Sequence, residues 1–124
     1  MTLIKVVGML KKNEDLTDEE FRDHYENHHI PLFYEQLNHP GVKRWFRRYL
    51  KPITAPITGE IRESGFDAMF EVWCDREFYE SFFVNPLPED LRAIVVADEA
   101  KLFDVEQTLV YVVDEVDTDL SKLA

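Results

Sequence analysis

Three histidines fall close together, His24, His28 and His29, in a stretch whose apolar spacing is that of a helix. An imidazole can give or take a proton near neutral pH, so any of them could serve a general acid or base reaction. His29 stands at the end of the stretch, two residues before Pro31, where it could alternatively cap backbone carbonyls. His28 falls within the apolar stripe and reads as a satisfied core histidine. His24 and His28 share a helix face as an HxxxH pair, but no glutamate follows His24 in the HExxH manner and no third ligand is marked, so no metal site is expected. Downstream, Asp67 and Glu71 are four apart in a strand, on the face opposite Phe66, Ala68, Phe70 and Val72. If that apolar face packs under helices, both carboxylates point into an interior and burial would raise their pKa values, as acid or base work requires. They could equally pair with Lys5, Lys43 or Arg47 across strands. Tyr25 could share the proton transfer, and Trp45, Met69, Trp73 and Tyr111 could wall a pocket, although any core has aromatic walls.

Composition excludes several classes. The chain has 124 residues and a net charge of −11, with the acidic excess in its second half. A phosphate backbone would be repelled, so nucleic acid is not an expected partner, despite the basic island of Lys43, Arg44, Arg47, Arg48 and Lys51. Cys74 is the single cysteine, which rules out an intrachain disulfide and a thiolate zinc site. No signal-peptide layout or membrane-length apolar run is present, and cytoplasm is the expected location. No GxGxxG, P-loop, GxSxG or CxxC supports nucleotide, phosphoanhydride or serine-hydrolase chemistry.

The elements that must position these residues can be read from periodicity. Leu3 to Leu10 is a buried strand. Thr17 and Glu20 form a capping box that starts a helix at Asp18, with Phe21, Tyr25, His28 and Leu32 as its apolar stripe. Pro31 should kink or end it near Ile30. A strand over 42–49, a long loop over 51–65 that suits a lid, and a strand over 66–73 follow. Asp75 caps a short helix over 76–84, Pro88 opens another with Leu91, Ile94 and Val95 inward, and the last strand covers 107–114. Residues 1–116 form one domain and 117–124 a loose tail. This order is the ferredoxin-like split βαβ arrangement of α+β proteins, an antiparallel four-stranded sheet with helices on one face. The other face carries Met69 and Trp73, which argues for a homodimer. Two such sheets face to face would form a dimeric α/β barrel about wide enough for a small ligand.

The sequence resembles the EthD family of the dimeric α/β-barrel superfamily. The resemblance rests on Phe21-x-x-His24-Tyr25-x-x-x-His29-x-Pro31-Leu32 after the strand IKVVGMLKK, on His39-Pro40-Gly41-Val42, on Phe66-Asp67-Ala68-Met69 with Glu71-x-Trp73, and on Asp98-Glu99-Ala100-Lys101-Leu102-Phe103-Asp104. Tyr25 stands where the family often has tryptophan and His28 where an apolar residue is usual. The resemblance implies a homodimeric barrel with one pocket per subunit and no cofactor. Among such proteins are ones associated with ether degradation, methylmuconolactone isomerisation and polyketide decarboxylation or cyclisation. Taken with the reading of the residues above, the expected catalytic residues are His29 and Asp67, with Tyr25, and the expected substrate-binding residues are His24, Trp45, Met69, Glu71, Trp73 and Tyr111. The expected function is a cofactor-independent lyase or isomerase acting on a small carbonyl-containing or aromatic molecule. The alternatives are a non-catalytic accessory protein that binds such a molecule, and a cofactor-free monooxygenase.

Overall fold

The structure, a computed structural model, describes residues 2–61 and 65–123. Strand β1 (Ile4–Leu10) alternates its burial: Val6, Gly8 and Leu10 face inward, Lys5, Val7 and Met9 do not. Its polar end leads to Thr17, whose hydroxyl accepts from the Glu20 N–H while the Glu20 carboxylate accepts from the Thr17 N–H. This reciprocal pair satisfies two of the free donors that open helix α1 (Asp18–His24).

The helix does not keep one winding. α1 passes into a π-helical turn (Tyr25–His29), then a 3₁₀ turn (Ile30–Phe33), then the short helix α2 (Tyr34–Leu37). Pro31 therefore changes the winding rather than ending the segment. The π turn also corrects the expected stripe. Its bond runs from the Ile30 N–H to the Tyr25 carbonyl, five residues back, so the inward face slips by about one residue. His29 and Ile30 are buried beside Phe21 and Tyr25, while His28, expected in the core, is exposed.

Strands β2 (Val42–Tyr49) and β3 (Ala68–Cys74) complete the centre of an antiparallel sheet of order β2-β3-β1-β4. β3 begins two residues later than expected, leaving Phe66 and Asp67 outside it, but its alternation is as read. Ala68, Val72 and Cys74 are buried, with Phe70 between them, and Met69, Glu71 and Trp73 take the opposite face. After β3, the Asp75 side chain caps helix α3 (Arg76–Tyr79) by accepting from the Phe78 N–H, and a second π turn (Glu80–Val84) extends it.

Helix α4 (Glu89–Leu102) follows Pro88 and buries Val95 and Leu102; Ile94, expected inward, is more than half exposed. A 3₁₀ turn (Val105–Gln107) replaces the first residue of the expected last strand, and β4 (Leu109–Val112) is correspondingly shorter. A final 3₁₀ turn (Leu120–Leu123) lies in the exposed tail. Among the described residues of 51–65 no helix or strand forms, and residues 62–64 of the expected lid lie outside them. The core fills the space between one sheet face and the helices, with Trp45 and Phe70 joining its two halves. No helix among the described residues is long and apolar enough to cross a membrane.

Candidate functional site

A cavity of about 250 Å³ opens within this helix-side layer. Its floor is sheet: Leu10 from β1, Trp45 from β2, Phe70 and Val72 from β3, and Val110 from β4. Its roof is helical: Tyr25, His29 and Phe33 from the segment after α1, Phe82 and Phe83 from the second π turn, and Val95 and Glu99 from α4. Gly8 gives the floor its shape, because a Cβ there would fall within the Phe70 ring.

His29 is the chemically distinctive wall residue. Only 4% exposed, it places Nδ1 2.8 Å from Oδ2 of Asp98 on α4. The other oxygen of Asp98, Oδ1, lies 2.8 Å from Nε2 of His24. One carboxylate thus ties two histidines of the helical segment to α4. Burial pulls the His29 pKa below its ordinary value, against the opposing pull of the Asp98 hydrogen bond and charge. For Asp98 burial acts upward, but the hydrogen bonds from His24 and His29 prevail and its pKa falls. The outcome is a neutral ring with its Nδ1–H donated to a carboxylate. That leaves Nε2 as the basic nitrogen available to a molecule in the cavity.

Two further polar groups line the same space. Burial raises the pKa of the Glu99 carboxyl, with the charge of Asp98 adding to it. Burial also pushes the Tyr25 hydroxyl far above the usual phenol range, so it keeps its proton. Glu26, next to Tyr25, accepts from Arg47 and from the Tyr49 hydroxyl, a half-buried network that does not line the cavity.

The structure brings together His29, Tyr25 and Trp45 at the cavity and sets His24 behind His29 through Asp98. It does not bring the remaining expected residues there. Asp67 accepts from the Lys12 backbone N–H at 2.8 Å and faces Lys11 Nζ at 3.6 Å, away from the cavity walls. Met69, Glu71, Trp73 and Tyr111 stand on the opposite sheet face, where Glu71 accepts from Arg48 and from the Trp73 indole. Cys74 is buried, and burial lifts its thiol to about 11, which leaves it inert near neutral pH. Among the described residues no group of three or more His, Cys, Asp or Glu side chains is arranged to hold a metal ion.

Asp98 and Glu99 carry no expected role in the sequence beyond their place in the family motif. The signal was present: Leu91, Val95, Asp98 and Leu102 recur at steps of four, three and four, and this stripe places the acidic pair on the inward side of α4.

A family model described as EthD domain matches residues 13–106. The fold is similar to that of an EthD family protein from Bacillus halodurans, with a TM-score of 0.59 and 21% identity over 93% of this chain and 100% of that one. An EthD-like protein from Ralstonia eutropha gives a TM-score of 0.59 and 18% identity, covering 96% of each chain. A protein from Arabidopsis thaliana gives 0.57 and 14%, covering 94% of this chain and 98% of its own. No curated protein matches the sequence.

Proposed function

The chain belongs to the EthD family, and from that premise we propose that it is a cofactor-independent lyase or isomerase acting on a small, flat, carbonyl-containing molecule by proton transfer at His29. The observation that carries this reading is the His29–Asp98 pair at the wall of a largely apolar cavity. In it, Nε2 of His29 takes a proton from a carbon next to the substrate carbonyl. The electron pair passes into the carbonyl oxygen as an enolate, and the new imidazolium is stabilised by Asp98. Return of the proton to a different carbon completes an isomerisation; departure of a leaving group completes a lyase reaction. The volume supports the size class: an apolar cavity of about 150 Å³ accommodates benzene, so this one suits one or two fused rings. Its aromatic walls hold a ring flat and keep water from the enolate.

The test is turnover of enolisable ring ketones and lactones by His29→Ala protein, with circular dichroism reporting the fold. Loss of one general base lowers the rate by about 10²–10⁴-fold. Undiminished turnover in the folded variant overturns the mechanism. Ligand binding without turnover in the parent protein would favour the accessory binder.

A further inference from the structure

The cavity carries a charge pattern that proton transfer at His29 does not use. Among the described residues no lysine or arginine lines it. Arg47 lies on the same sheet face but is held by Glu26, and that carboxylate is shared with Tyr49. The one carboxyl in the walls, Glu99, makes no ion pair or side-chain hydrogen bond among the described residues, although it faces a largely apolar space. A polar group set in such walls without a protein partner is matched when a ligand supplies one. We propose that Glu99 selects the ligand. It hydrogen-bonds the hydroxyl or enol of a neutral, flat ring molecule, and the cavity rejects a carboxylate on the same ring.

Two physical arguments support the choice of a neutral hydroxyl. An anion entering the cavity would lose its water and meet no cation among the described wall residues, and Glu99 on α4 would repel it whenever ionised. The whole chain adds to this, since its net charge of −11 lowers the local concentration of anions. A hydroxyl or enol can accept from a protonated Glu99 or donate to an ionised one, so it is matched in either state. Burial and the neighbouring Asp98 favour the protonated state. The selection rests on the cavity being the substrate site, but not on His29 moving a proton.

The experiment is calorimetric titration of the full chain with naphthalene, naphthol and naphthoate, which share one ring system. Naphthol should bind, with naphthoate at least about tenfold weaker. Glu99→Leu should weaken naphthol by about five- to tenfold and leave naphthalene unchanged or tighter, because the hydroxyl loses its partner and the ring does not. Glu99→Lys should reverse the order and favour naphthoate; the Leu variant, apolar in apolar walls, serves if the Lys variant fails to fold. Equal affinity of the parent for naphthol and naphthoate overturns the proposal, as does an unchanged naphthol affinity in the Leu variant. Failure of every ring to bind overturns the substrate-site reading along with it. Selective binding together with an active His29→Ala variant overturns proton transfer alone.

Discussion

His29 and Asp98 form one hydrogen-bonded pair, and the direction of each pKa says which state it favours. The ring is buried, so its neutral form is favoured and its pKa lies below the ordinary 6.5. Asp98 opposes this through its hydrogen bond and charge. The unfolded chain binds a proton on this ring at a higher pH than the folded one does. Stability is therefore complete above about pH 6.5 and lost as pH falls below it. The depressed Asp98 pKa acts in the same sense further into acid, while the raised Glu99 pKa gives a contribution that is present at low pH and lost as pH rises through its folded value. Replacing Asp98 by Asn keeps the shape and removes the charge that lifts His29. A proton NMR titration should show a His29 midpoint below 6.5 in the parent and lower still in Asp98→Asn. An unchanged midpoint would reduce Asp98 to a tether between helices. In the variant one of the two rings faces the amide NH2 instead of an oxygen and must accept there rather than donate.

At the scale of elements, the strands position the cavity floor and the helical turns position its chemistry. β1 approaches β3 with Gly8 opposite Phe70, and the missing side chain is what lets the Phe70 ring lie against Gly8 in the cavity floor. Gly8→Ala should force that ring aside, lowering stability by about 1–3 kcal/mol in thermal unfolding and weakening naphthol binding in parallel. An unaltered melting temperature would mean that the ring moves freely and does not set the floor. The strands were legible in the sequence because their period is two and survives small errors of boundary. Ala68, Phe70 and Val72 were assigned to one face and Met69, Glu71 and Trp73 to the other, although the strand starts later than expected. The capping box of Thr17 and Glu20 was legible because it is local chemistry. The choice between His28 and His29 was not, because a 3.6-residue period puts the inward position at 28 and only the π turn moves it to 29. The side of the sheet holding the cavity was also not legible. Both faces carry aromatic residues, and alternation says which residues share a face without saying which face is roofed.

Across the whole molecule the sheet has one face packed under helices and one that no element among the described residues covers. Phe46, Trp73, Met69, Leu109 and Tyr111 lie on this second face, the last two more than 40% exposed. Its cations do not hold it apart in water. Arg44 lies 3.9 Å over the Phe46 ring and Lys5 4.0 Å over Trp73, so the charges lie along the aromatic surface and their stems extend it. Glu71 is satisfied by Arg48 and by the Trp73 indole, leaving no stranded carboxylate to oppose burial. A surface of this composition is costly to leave in water, and a two-fold axis through it would set its aromatic and methionine side chains against their own copies. The expected state is a homodimer joined through these faces, with each cavity on the outer, helix side of its own sheet. Sedimentation at micromolar concentration should give about twice 14.7 kDa. Trp73→Glu places a second carboxylate beside Glu71 at the centre of the face and should shift the protein to monomer. Naphthol binding should survive in that variant, because the cavity is built from one chain and lies across the sheet from the change. A parent protein that sediments as a monomer removes the face-to-face arrangement. A Trp73→Glu monomer that has lost the ligand would show instead that the two sides of the sheet are coupled.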